Sequence, residues 1–239
     1  MLDEVKVIGF DLGYTLAFNH REDTYLAFAK ENKTELRRRE VEIAFHLADK
    51  TFMRQYPGAL GKRAETYFPW YLGVVNYHLQ CRFDIERQYE FFKSQRKGWS
   101  PFPWSQPILE ELQNKGYRLA LLSNWDESCR DVLSQLSLER YFEEIIVSSE
   151  QGIEKPDPRI FTRLIEKMNC KPEELLYVGD NYYDDVVGSK KIGAQSILIN
   201  RFGRLGIEEL GSIPVIEKTD SLLSLLQEGE TLHDICYSR

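Results

Sequence analysis

The chain has 239 residues, 42% of them hydrophobic, with a net charge of −7, enough apolar material for one large domain or a domain carrying an insert. The acidic balance excludes nucleic acid as the main partner, because phosphate backbones are bound through clustered Lys and Arg. No apolar run is long enough to span a bilayer, and the opening MLDEVKVIGF carries early acidic residues, unlike a secretory signal.

Cys81, Cys129, Cys170 and Cys236 are scattered without a CxxC pair, so reduced thiols and a cytoplasmic location are expected, with no disulfide framework and no zinc site.

In chain order, VKVIGF is a short apolar strand that ends at Asp11. Residues 19–98 then show no β-alternation. Val41, Ala44, Phe45, Ala48 and Phe52 fall at offsets 0, 3, 4, 7 and 11, one face of an amphipathic helix that Pro57, Gly58 and Gly61 interrupt. The aromatic stretch TYFPWYLGVVNYHLQ follows, then a helical segment from Asp84 to Lys93. Its aromatics (Tyr67, Phe68, Trp70, Tyr71 and Tyr77) read as the core of this helical unit rather than as a wall for a ligand.

From Pro101 onward the rhythm alternates. ILEELQNKG is helical and stops at Gly116, YRLALLSN is a strand, Glu127–Leu136 a helix and EIIVS a strand. PDPRIFTRLIEKMN starts with prolines and continues as a helix, LLYVGD is a strand, DDVVGSKKIG a helix and QSILIN a strand. This alternation predicts an α/β fold: a Rossmann-like, doubly wound parallel sheet with helices on both faces. The core is residues 1–18 and 99–239, and 19–98 is an inserted helical domain.

Four short stretches lie at the C-terminal ends of strands, where ligands bind in open α/β sheets: Asp11, Ser123-Asn124, Lys155 in GIEKPDP, and Asp180 in VGDNYYDD. Carboxylates from Asp11, Asp180 and either Asp184 or Asp185 suit a hard cation such as Mg²⁺. A Ser hydroxyl and a Lys ammonium suit an anion's oxygens, and one carboxylate remains as a nucleophile toward phosphorus. Taken singly each has a plain reading: Asp11 as a helix cap, Ser123-Asn124 as a helix start, Lys155 as a solvated lysine, the aspartates as first-turn charges. All four in order, each at a strand end, favour a site.

The set FDLGYT, LLSN, EKPDP and VGDNYYDD resembles the four motifs of the haloacid dehalogenase-like (HAD) hydrolase superfamily, over about residues 5–18 and 100–205. The resemblance implies that Asp11 forms an aspartyl-phosphate and that Ser123 and Lys155 bind phosphoryl oxygens, with Asn124 beside them. It implies that Thr15 holds the loop after the nucleophile and contributes to phosphate binding. Mg²⁺ would be held by Asp11, the backbone carbonyl of Gly13, and Asp180, with Asp185 ligating or supporting it. The helical insert resembles the small cap that closes over the site and selects substrates. A small-molecule phosphate ester is the implied substrate; oligomeric state is not indicated.

Gly13-Tyr14 departs from the pattern, since most phosphatases of the superfamily have Asp then Gly there. That Asp is the general acid to the leaving group and the base for the hydrolytic water, help worth about 10²–10⁴-fold. His20 and Asp23 follow closely enough to be candidates for the missing proton donor. Some members with Asp-Leu-Gly resemble sugar-phosphate phosphatases. Dehalogenases of the superfamily carry Tyr-Gly where this chain has Gly-Tyr; they attack carbon without a metal and usually lack the complete acid pair of GDNYYDD. A phosphonate hydrolase would need a lysine from the insert, and nothing marks Lys30, Lys50 or Lys62. A non-catalytic protein that uses the fold to bind a partner is the remaining alternative. Arg37-Arg38-Arg39 reads as a solvated helix face, and His20, His46, His78 and His233 lack metal-ligand spacing.

Overall fold

The computed structural model describes residues 2–95 and 97–227; Cys236 and His233 fall outside them. The chain divides into two compact units, Met1–Phe18 with Pro101–Arg239, and Asn19–Ser100. Helices and strands follow in order as β1 (Val7–Phe10), β2 (Ala17–Asn19), α1 (Arg21–Glu31), α2 (Arg38–Gln55), α3 (Phe68–His78), α4 (Ile85–Ser94) and β3 (Trp99–Pro101). The discontinuous unit continues with α5 (Ser105–Asn114), β4 (Arg118–Ser123), α6 (Cys129–Gln135), β5 (Glu144–Val147), α7 (Ser148–Gln151) and α8 (Pro158–Lys167). It closes with β6 (Leu175–Gly179), α9 (Val187–Lys190), β7 (Gln195–Ile199), β8 (Val215–Ile216) and α10 (Leu222–Gln227).

Six strands form one parallel sheet in the order β5-β4-β1-β6-β7-β8. β1 is central: Phe10 is level with Leu121 of β4 on one side and with Val178 of β6 on the other. The strand order reverses there, so β1, β4 and β6 deliver their next residues to one edge at the switch point. All four β1 residues are buried, as expected for a strand covered on both faces. On one face Val7, Ala120, Leu122, Ile146, Leu175 and Tyr177 meet Ile160, Phe161 and Leu164 of α8 in a single apolar cluster. α8 begins at Pro158 with the Asp157 side chain accepting from the Arg159 N–H, an N-cap that satisfies an orphan donor.

The expected parallel sheet is therefore present. Three features go beyond the periodicity. β8 adds an edge strand, β2 and β3 pair as a short ribbon where the chain leaves and re-enters the α/β unit, and the helix expected from Asp184 is preceded by a π-helical turn, Tyr182–Val186. Strands of two or three residues are too short to display alternation. The π-turn is set by Asn181, whose side chain accepts from the Tyr183 and Asp184 N–H groups.

The helical unit packs α1–α4 around Tyr25, Val41, Ala44, Phe45, Ala48, Phe52, Tyr71, Leu72, Val75 and Phe92. The predicted α2 face is wholly buried. The aromatic stretch is only partly core. Tyr71 is buried, and Tyr67 and Phe68 pack against the cluster, but Trp70 is 52% and Tyr77 79% exposed. Positions 70 and 77 are seven apart, two helical turns, and therefore share the outer face of α3. Arg21 lies in this unit's interior, donating to both Asp49 oxygens at 2.9 and 2.5 Å, while the Tyr71 hydroxyl donates to Asp49 Oδ1 at 2.6 Å. Lys50 is buried here and Lys30 and Lys62 are exposed. Among the described residues no helix is long and apolar enough to cross a membrane.

Candidate active site

β1 hands the chain to Asp11, whose N–H donates to the Val178 carbonyl at 2.9 Å and so extends the ladder by one residue. The next residues form a tight turn: the Leu12 carbonyl accepts from the Leu16 and Ala17 N–H groups, and the Tyr14 N–H donates to the Ala17 carbonyl. Tyr14, not Gly13, takes the left-handed conformation, at φ +54°. Such a backbone is costly for a residue with a Cβ, so the turn stores strain beside the carboxylate. Thr15 is buried; its carbonyl accepts from the Thr219 hydroxyl at 2.7 Å, and its own hydroxyl has no hydrogen-bond partner among the described residues.

Four of the sequence-derived residues, Asp11, Ser123, Lys155 and Asp185, are linked through one oxygen and one cation. Ser123, the last residue of β4, donates its hydroxyl to Asp11 Oδ1 at 2.9 Å. Lys155 donates to the same oxygen at 2.9 Å and to Asp185 Oδ1 at 2.6 Å. The Lys155 ammonium is 2% exposed. Burial alone would lower its pKa, but the charges of Asp11 and Asp185 outweigh that and hold it well above the usual lysine value. The ammonium stays charged.

Asn124 is engaged elsewhere than with a free pocket. Its amide brackets the Lys155 backbone, donating to the carbonyl at 2.9 Å and accepting from the N–H at 2.8 Å. It thereby places the lysine's main chain, rather than presenting a donor to an anion.

The adjacent aspartates divide sharply. Asp185 has both oxygens occupied, Oδ1 by Lys155 and Oδ2 by the Asn181 N–H at 2.9 Å. Room for it comes from Gly179, where a Cβ would run into the Asp185 carboxylate. Asp184 accepts on Oδ2 from the Asn181 amide at 2.8 Å and from Asn124 at 3.4 Å, while its Oδ1 is buried with no partner among the described residues. Burial first, and then the negative charge of Asp185, push the Asp184 carboxyl up to about 7. Burial also raises Asp185, against the opposing pull of Lys155. Asp180 sits half-buried at the end of β6.

Among the described residues no group of three or more His, Cys, Asp or Glu is arranged to hold a metal ion. Mg²⁺ does not require one, since it is usually held by one or two carboxylates together with waters and substrate phosphate. The observation that bears on a cation is the orphaned Asp184 oxygen: a buried carboxylate atom without a donor is unfavourable unless something positive meets it. Asp11 and Gly13 follow β1 and Asp180 follows its parallel neighbour β6, so the candidate donors at this sheet edge are all oxygen, the type that Mg²⁺ takes. Asp185, expected from sequence to ligate or support the metal, has both oxygens on Lys155 and a backbone N–H, which leaves it the supporting part of that expectation, because the π-turn sends neighbouring carboxylates to different partners.

The reading from sequence missed Tyr177. It lies in the apolar run LLYVGD, where an inward tyrosine looks like any core aromatic. Its hydroxyl accepts from Lys155 at 3.1 Å and donates to the Leu122 carbonyl at 2.6 Å. His20 and Asp23 are bonded within the helical unit: His20 Nδ1 to Asp23 at 3.2 Å and Nε2 to the Ser100 hydroxyl at 2.9 Å. Arg38 donates to Asp23 and holds its carboxyl below the usual range, which suits a charged partner for His20 better than a proton donor.

Comparison with known proteins places this arrangement. The chain is 33% identical over 135 residues to a glyceraldehyde 3-phosphate phosphatase of Methanothermobacter thermautotrophicus, covering 54% of this chain and 51% of that one. It thus spans about half the length of that relative. A crystal structure titled as a HAD phosphatase from Thermococcus onnurineus superimposes with a TM-score of 0.58 at 23% identity, covering 93% of this chain and 98% of the other. One titled as a dehalogenase gives 0.65 at 21%, covering 94% and 98%. At that identity both speak for the fold alone. The sequence model of the haloacid dehalogenase-like hydrolases matches residues 10–199, from the residue before Asp11 to the end of β7, and the chain belongs to that family.

Proposed function

We propose that the protein is a Mg²⁺-dependent phosphatase that hydrolyses a small phosphorylated metabolite through an aspartyl-phosphate on Asp11. The observation that carries this reading is the pairing of two opposite features at one sheet edge. Asp11 Oδ1 is held by Ser123 and Lys155, which leaves Oδ2 as the nucleophile, while Asp184 carries a buried oxygen with no donor. A cation-assisted attack on a phosphoryl group uses both features. The relative named as a glyceraldehyde 3-phosphate phosphatase supports the same chemistry.

In the first step Asp11 Oδ2 bonds to phosphorus, the bond to the ester oxygen breaks, and the leaving alkoxide must gain a proton. In the second, water attacks phosphorus, losing a proton, and releases phosphate and the free Asp11 carboxylate. Lys155 neutralises charge on the phosphoryl oxygens, and Ser123 and the unpartnered Thr15 hydroxyl orient them. Mg²⁺ would be held by one or two of the Asp11, Asp180 and Asp184 carboxylates together with the Gly13 carbonyl, and when bound would supply charge neutralisation for the phosphoryl group. Asp185 keeps Lys155 in place.

Position 13 leaves no side chain to pass the proton, so esters with leaving groups that depart as stable anions are the best substrates. The test is turnover of a panel of phosphate esters with Mg²⁺ and with a chelator, alongside release of halide from 2-haloacids. Metal-dependent phosphate release that is lost in Asp11→Asn is the expected result. Halide release untouched by the chelator would replace this reading with a metal-independent dehalogenase. No turnover at all would favour a binding protein.

A further inference from the structure

A lysine ammonium has three protons, and Lys155 gives all three to protein acceptors. These are Asp185 Oδ1 at 2.6 Å, Asp11 Oδ1 at 2.9 Å and the Tyr177 hydroxyl at 3.1 Å. The Tyr177 oxygen faces Lys155 as an acceptor because its own proton is donated to the Leu122 carbonyl at 2.6 Å. Leu122 is the residue before Ser123, so one hydroxyl ties the end of β4 to the lysine.

The ring cannot swing away. Tyr177 is fully buried, meets Phe161 edge-on at 5.1 Å between centroids, and lies against Gly9 of β1. A Cβ at Gly9 would come within 2.9 Å of the tyrosine ring. Packing alone would be served by phenylalanine, without a hydroxyl to bury. Lysine brings a point charge on a flexible stem, so a single acceptor would leave the head free to pivot. Two acceptors on different elements fix it.

We propose that Tyr177 is a positioning residue. Together with Asp185 it anchors two protons of Lys155 and so aims the third at Asp11, and at the phosphoryl group that Asp11 attacks. The second half of this statement rests on the phosphatase reading; the first half does not.

The first measurement is made on the unaltered full-length protein, labelled with ¹⁵N-lysine. One ammonium resonance should exchange slowly with water and should be absent from Lys155→Arg. Its absence from the unaltered protein would overturn the anchoring without any variant of Tyr177. In Tyr177→Phe, which keeps the ring, the resonance should broaden or vanish. In the same variant kcat for an aryl phosphate should fall about tenfold with KM within about twofold, as for misplacement of a group that acts in the transition state.

Phe161→Leu loosens the same packing and keeps the hydroxyl. It should lower the melting temperature while leaving the Lys155 resonance and kcat in place. Equal loss of the resonance in both variants would reduce Tyr177 to packing and overturn the proposal. So would an unchanged resonance in Tyr177→Phe. A lost resonance with unchanged kcat would overturn the aim toward the reaction. If no ester is turned over, the phosphatase reading fails while the resonance still decides the anchoring.

Discussion

Each unit of the protein buries a cation, carboxylates and a tyrosine hydroxyl, yet the two clusters are built differently. In the helical unit Arg21 meets Asp49 through two parallel hydrogen bonds, and Tyr71 completes the same carboxylate. That network is closed, as planar guanidinium and carboxylate groups allow. In the α/β unit Lys155 is a point charge shared between Asp11 and Asp185, while Asp184 Oδ1 and the Thr15 hydroxyl next to the same edge have no partner. Closure is what a structural network requires. Open valences beside the carboxylate proposed as nucleophile mark where a ligand is expected to complete the set.

Asp11→Asn tests the contrast most severely. It should reduce phosphate release by about 10³-fold or more, since the amide is not a nucleophile. Asp49→Asn in the closed network should instead leave kcat within about twofold. It should cost about 3–5 kcal/mol of stability in urea, the loss expected when a buried pair is broken from one side. A stable Asp49→Asn with impaired kcat would erase the distinction.

Lys155→Ala comes next, with kcat reduced about 10²–10³-fold, the range for removing a preorganised charge from a water-excluded site. Lys171, exposed ahead of the N-terminal end of β6 and so away from the strand ends that carry the site, serves as the control, and Lys171→Ala should change kcat by less than about twofold. Similar small effects of the two would separate the third motif from the chemistry.

Gly13→Asp sharpens the comparison in the other direction by adding a proton donor. Native protein should hydrolyse acyl or acidic aryl phosphates far faster than alkyl ones and show a burst of leaving group. The variant should raise alkyl turnover by about 10²-fold. Equal native rates on aryl and alkyl esters without a burst would mean that another group already supplies the proton, and His20 would be the first to replace.

The smallest effect concerns Cys129 in α6. Its thiol is pushed up to about 12, by burial first and then by the charge of Asp11. A group so raised is almost wholly the thiol at pH 8, and the thiolate is the reactive form. Cys129 should therefore resist iodoacetamide in the folded protein at pH 8 and react in urea. Rapid alkylation without denaturant would show that the α/β interior around Asp11 opens readily.

The residue sequence by itself determined the parallel sheet, the helical character of 19–98, and the arrival of Asp11, Ser123 and Asp180 at strand ends, whereas Lys155 lies beyond α7, in the loop before α8, and not at a strand end. These depend on local periodicity and on motif order, which a linear reading captures. Tertiary structure alone decided which atoms face which. Asp184 and Asp185 are neighbours in sequence with opposite circumstances, because a π-turn and Asn181 direct their carboxylates apart. Asn124 is turned to the backbone of Lys155, 31 residues away in sequence. Trp70 and Tyr77 face outward on α3 although their stretch is rich in aromatic and aliphatic residues. Tyr177 is hidden in a strand whose pattern reports only burial. Its importance lies in the direction of one hydroxyl, and that direction is set by contacts from β4 and Lys155 that no periodicity encodes.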